Sequence, residues 1–172
     1  MKIIGFTSFD GEKPQILLKG DSCMLVNRKP FFTPDGPTDM QALPCIVLRV
    51  SRLGKSILAR FADRYFDVFA YGYDIFAKDK LIQAQQAGQT WSEATCFDYS
   101  LVVGEWQLKD FLPTENLCIS PEEAIVRASR LMTIRQGDLI YIHTHAPARK
   151  LTRDEVLTGP EGFEESVYCK IK

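Results

Sequence analysis

At 172 residues, 45% hydrophobic and 25% charged, the chain has the size and make-up of one globular domain, able to bury roughly two-thirds of its unfolded surface. Its 21 Lys and Arg against 22 Asp and Glu leave a net charge of -1, which argues against nucleic acid or an anionic membrane as a partner. "MKIIGF" is too short and too quickly polar for a signal peptide, and no run approaches the length of a membrane span, so a cytoplasmic location is expected.

In chain order, "MKIIGFTSF" and "PQILLKG" read as short strands separated by the turn signal "DGEKP". "KPFFTPDGPTDMQALP" is dense in Pro, Gly and Asp and is expected to be mostly loop, since proline cannot donate to a ladder. "CIVLRVSRL" is a β-prone run. The next stretch, 56–70, spaces Ile57, Phe61, Tyr65 and Phe69 four apart, which predicts one apolar helical stripe. "YGYDIFAKD" resumes strand character after Gly72. "KLIQAQQAG" predicts a short helix closed by Gly88. Between Trp91 and Trp106 the pattern is mixed, with a strand in "YSLVVGEW".

"SPEEAIVRASRLM" carries the strongest local signal: Ser120 caps, Pro121 takes the first helical position and Glu123 completes a capping box. A turn at Gln136-Gly137-Asp138 and a strand "LIYIH" follow, and "SVYCKIK" closes the chain as a strand. Strands outnumber helices without a strict βαβ rhythm, so the class is α+β with a mainly antiparallel or mixed sheet, in one domain over 1–172. Five cysteines, odd in number, irregular in spacing and without C-x-x-C, signal neither a disulfide framework nor a zinc knuckle. Most sit among apolar neighbours, as buried free thiols do.

Several segments together resemble one family. "ILLKGDSCML", "GKSILARFADRYFDVFAYGYDIFAKD", "CFDYSLVVGEW" and "SRLMTIRQGDLIYIHTHAP" follow one another in the order and spacing of the fumarylacetoacetate hydrolase family, in its short single-domain bacterial form. The resemblance implies a mixed β-roll, mostly strands, with a few short flanking helices. It also implies a dimer, and hydrolysis, decarboxylation, hydration or isomerisation of β-diketo and other oxo acids. Mg²⁺ or Mn²⁺ held by carboxylates would there stabilise an enolate.

Matched residue by residue, the family's Glu-x-Glu metal pair falls on Leu43 and Cys45, so both carboxylates are missing. The third ligand, the aspartate of the family's core strand, is retained as Asp74. The lysine that neutralises developing charge on the substrate is replaced by Thr95, which can donate a hydrogen bond but brings no charge. "TSFDGEKP" leaves no room for the lid helix and its Glu–His base, and Glu12 lies on a turn with no imidazole beside it in sequence. "QLKDFLPTENLCI" is too short for the pocket hairpin.

The two histidines of the chain, His143 and His145, flank Thr144 in the stretch matching the family's Thr-Gly-Thr-Pro loop. In extended backbone both imidazoles would share a face. With Cys45 and Asp74 they make a candidate set of borderline-soft ligands, suited to Zn²⁺ rather than Mg²⁺. Thr95 and Thr144 are the candidate substrate contacts.

The expectation is therefore a non-catalytic protein with no catalytic residues and no resident cofactor, keeping the scaffold to bind a small oxo-acid ligand or another protein. Its partner would be a second copy or a paralogue. The alternatives are a metal-dependent hydrolase or lyase with a rebuilt site, and a metal-free enzyme using Cys45 or Cys96 as nucleophile.

Overall fold

A computed structural model describes residues 1–9 and 13–172. The turn expected around Asp10-Gly11-Glu12, with Glu12 itself, lies outside the described residues. The strands are β1 (Ile3–Thr7), β2 (Gln15–Lys19), β3 (Met24–Val26), β4 (Met40–Val50), β5 (Phe66–Ala77) and β6 (Leu101–Val103). They continue as β7 (Gln107–Leu108), β8 (Leu139–His143), β9 (Arg149–Lys150), β10 (Val156–Thr158) and β11 (Tyr168–Lys170). The helices are α1 (Ala59–Ala62), α2 (Lys78–Ala87), α3 (Ser92–Thr95) and α4 (Pro121–Leu131). This is the α+β class expected: a mixed sheet, mostly strands, with a few short helices. No helix among the described residues is long and apolar enough to cross a membrane.

Two compact units alternate along the sequence. The first takes Met1–Leu18, Cys45–Ala70 and Trp106–His145; the second takes Lys19–Pro44, Tyr71–Glu105 and Ala146–Lys172.

In the first unit the strand order is β2-β1-β8-β4-β5. β1 runs parallel to β8, with Gly5 opposite Tyr141, and β8 runs antiparallel to β4, with Cys45 opposite His143. Parallel neighbours need both faces covered, and β1 and β8 are buried at every residue. α4 starts as its sequence predicts: the Ser120 hydroxyl accepts the Glu123 N–H at 3.2 Å, with Pro121 in the first turn. The turn before β8 has Gly137 at φ +87, a left-handed value that favours glycine.

Two expectations are corrected here. The helix predicted over 56–70 shrinks to the four residues of α1, followed by a short 3-10 turn, and Phe66–Ala77 is one continuous strand through Gly72. Phe66 and Phe69 are buried, and aromatic side chains pack well on a pleated surface, so sheet pairing overrides the four-residue spacing. The loop predicted to reach Pro44 ends earlier, because β4 begins at Met40 and contains that proline. β9 pairs with β4 at Gln41 and Ala42, and β8 pairs from Cys45 onward. Pro44 falls between the two ladders, where its missing N–H is not required of it.

In the second unit β6 lies between β5, antiparallel, and β3, parallel with Met24 opposite Leu101. β10 and β11 form an antiparallel ribbon. α2 ends at Gly88 in the left-handed conformation (φ +62), whose N–H returns to the Ala84 and Gln85 carbonyls, as expected for this cap. Phe31, Met40, Ile75, Val102, Leu157 and Ile171 belong to the core of this unit. α3 is too short to show helical periodicity, and the sequence carried no signal for it.

Candidate functional site

Asp74 is a β5 residue of the second unit, and its side chain is wholly buried. A buried carboxylate is costly unless a cation and hydrogen bonds compensate it. Lys19, the last residue of β2, supplies the cation: its ammonium stands 2.8 Å from Asp74 Oδ1, and neither side chain has exposed surface. The same ammonium donates to the Thr95 carbonyl and, at 2.8 Å, to the Ser100 hydroxyl. An ammonium has three donors, and these oxygens, with the Ser100 carbonyl at 3.3 Å, leave none of them unmet. The whole arrangement belongs to the second unit.

Thr95 therefore contributes in an unforeseen way. Its hydroxyl donates back to the Trp91 carbonyl at 2.8 Å, closing the turn of α3, while its carbonyl helps to hold Lys19. Lys19 and Ser100 are the residues that sequence reasoning missed. The available signal was a lone lysine in the apolar run "ILLKG", a residue type seldom fully buried without a partner.

The remaining candidates on β4 and β8 lie in the first unit. His143 is fully buried. Its Nδ1 accepts the Ser8 backbone N–H at 3.3 Å, which leaves the other ring nitrogen to carry the proton of the neutral form. Phe9 meets the imidazole edge to face at 5.2 Å, and Tyr141 packs on it at 5.8 Å. Its Cα partner across the ladder is Cys45, itself buried.

β8 stops at His143; Thr144 makes an isolated bridge to Leu117, and the chain then bends at His145. His145 is exposed, its N–H donating to the Asn116 carbonyl at 2.8 Å. The extended backbone that would align both imidazoles thus ends between them. Beside this strand, Cys118 donates its thiol to the Phe6 carbonyl at 3.4 Å, and burial pushes that thiol up to about 11. Among the described residues no three His, Cys, Asp or Glu side chains converge to hold a metal ion.

The donor set does not fit Mg²⁺ or Mn²⁺. These hard ions need several oxygen ligands and negative charge. At the positions matching the Glu-x-Glu pair stand buried Leu43 and Cys45, and the Asp74 carboxylate already carries an ammonium that would repel a second cation. A separate cleft in the first unit, of about 520 Å³, is lined by Arg52, Arg64 and Lys109 against Asp63, Asp67 and Asp110, and contains none of the candidate residues.

No family model matches the sequence, and no curated protein does. Solved structures match it in shape. Fumarylpyruvate hydrolase from Pseudomonas aeruginosa, solved in complex with Mn²⁺ and pyruvate, superposes with a TM-score of 0.85 at 16% identity, over 99% of this chain and 88% of that one. A Yersinia pestis CO92 protein ascribed to the fumarylacetoacetate hydrolase family gives 0.88 at 15% identity, over 99% and 92%. The 5-carboxymethyl-2-hydroxymuconate delta-isomerase from Mycobacterium smegmatis gives 0.81 at 18%, over 99% and 78%.

Proposed function

This chain has the fumarylacetoacetate hydrolase fold, and on that premise we propose that it is a non-catalytic protein of that fold. Its scaffold is kept to bind a small oxo-acid ligand or another protein chain, either a second copy or a paralogue. The observation that carries the proposal is the Lys19 ammonium 2.8 Å from Asp74 Oδ1, both side chains fully buried. The one carboxylate that matches a metal ligand is thereby neutralised from within the protein. Buried apolar groups at Leu43 and Cys45, and a Thr95 hydroxyl bonded to its own helix, support the same conclusion.

The alternative is a rebuilt Zn²⁺ site using Cys45 and His143, which are direct cross-strand partners, with His145. Metal content separates the two. Purified protein is analysed by elemental mass spectrometry, titrated with Mg²⁺, Mn²⁺ and Zn²⁺ while thermal unfolding is followed, and screened for turnover of β-diketo and oxo acids. The non-catalytic proposal expects no stoichiometric metal, no thermal shift with any ion and no turnover. Stoichiometric zinc that disappears in a His143→Ala/His145→Ala variant would sink it, as would metal-dependent consumption of an oxo acid.

A further inference from the structure

Cys23 closes the 3-10 turn before β3, and Cys96 is the residue that caps α3. The parallel pairing of β3 with β6 brings these segments together, and the Tyr99 N–H donates to the Ser22 carbonyl at 3.0 Å. The result is a sulfur pair in contact, with Cys23 Sγ 3.7 Å from Cys96 Sγ. A disulfide bond is about 2.05 Å long, so roughly 1.6 Å of approach would close it. Nothing in the sequence pairs these two residues, which stand 73 apart.

We propose that Cys23 and Cys96 are a built site for peroxide-driven disulfide formation. Their exposure assigns the roles. Cys96 is partly exposed and is the more accessible of the two, whereas Cys23 is 2% exposed. Burial pushes the Cys23 thiol up, against the opposing effects of the Ser100 hydrogen bond and the Lys19 charge, which suits a resolving rather than an attacking thiol. The Cys96 thiolate attacks one peroxide oxygen, the O–O bond breaks, and Cys96 becomes a sulfenic acid with release of hydroxide. Cys23 sulfur then attacks Cys96 sulfur; the S–S bond forms, the S–O bond breaks, and the departing hydroxide takes the Cys23 proton. Two thiols are oxidised and one hydrogen peroxide is reduced to two waters.

Cys118 donates its thiol to the Phe6 carbonyl, Cys45 and Cys169 are buried, and burial pushes the Cys118 and Cys169 thiols up to about 11, so none of the three offers a second such site. The proposal does not depend on whether the protein is catalytic.

The test uses the full chain, reduced, freed of reductant, exposed to hydrogen peroxide and then alkylated. The expected product is monomeric and lighter by two hydrogens before alkylation. It has three of its five thiols still open to reagent, a Cys23–Cys96 linked peptide on digestion, and full reversal by dithiothreitol. In Cys23→Ser, Cys96 should be trapped as sulfenic acid by dimedone; in Cys96→Ser, Cys23 should stay reduced. Five alkylatable thiols after peroxide would overturn the proposal. So would Cys96 advancing to sulfinic acid while Cys23 remains free, or a disulfide joining two chains.

Discussion

An ammonium without exposed surface must have its donors satisfied, and Lys19 has Asp74, Ser100 and the Thr95 carbonyl around it. Removing one partner of such a pair leaves the other charge buried and uncompensated, at a cost of about 3–5 kcal/mol. Lys19→Met should therefore lower stability by about that amount in urea unfolding. The double variant Lys19→Met/Asp74→Leu should recover most of it, because apolar replacement of a buried pair is often close to neutral. A single variant as stable as the parent would show that the pair is not buried in solution. The site was legible in the sequence only in part. Asp74, Thr95 and the segment holding Lys19 could be matched by position, but the pairing between them could not, because a contact over 55 residues leaves no local pattern. The histidines show the converse: only Thr144 separates them in sequence, yet the strand end between them leaves one buried and one exposed.

At the scale of the element, the β1–β8 pair depends on an absent side chain. A Cβ on Gly5 would lie 2.1 Å from Cζ of Tyr141, its cross-strand partner. Tyr141 is fully buried, so it cannot swing into solvent to make room. Overpacking of this kind typically costs about 1–3 kcal/mol. Gly5→Ala should show that loss in a denaturant midpoint, and Gly5→Ala/Tyr141→Phe should regain part of it, since Oη at 2.3 Å is among the clashing atoms. Full stability of Gly5→Ala would mean that the two strands are not in this register. Elements with local signals were readable from sequence: α4 by its cap, α2 by its terminal glycine, and β8 by the turn before it. β5 was misjudged because aromatic spacing fits both a helix and a pleated strand, and its pairing with β4, β6 and β7 is non-local and leaves no mark in the local pattern. β3, β7, β9 and β10 have two or three residues each, too few to show alternation.

For the molecule as a whole, a net charge of -1 at neutrality leaves little global repulsion, so the pH dependence of stability falls to particular groups. Each unit holds a carboxylate below its ordinary range. Asp138, in the first unit, is pushed up by burial but more strongly down by the Lys2 ammonium and by the Lys2 and Arg135 N–H groups. Asp79, in the second, is held down chiefly by the Thr38 N–H, with its hydroxyl assisting. A carboxylate with a depressed folded pKa binds fewer protons in the folded chain than in the unfolded one. Its contribution is thus complete above the unfolded value of 3.8 and is lost as pH falls through the folded pKa.

The alkaline side has the opposite origin. Cys118 and Cys169 rise from 9.0 to about 11 on burial. Between those values the unfolded chain has lost thiol protons that the folded chain retains, and stability falls as pH rises. The urea midpoint should therefore be flat from about pH 5 to 8 and decline on both sides. Asp138→Asn should make the acid limb shallower while leaving the alkaline one unchanged, and Cys118→Ala should do the reverse. An acid limb unaltered in Asp138→Asn would remove the Lys2–Asp138 pair from the account and leave Asp79 and Glu164, whose carboxyl is also held low by backbone N–H groups, to carry the acid dependence.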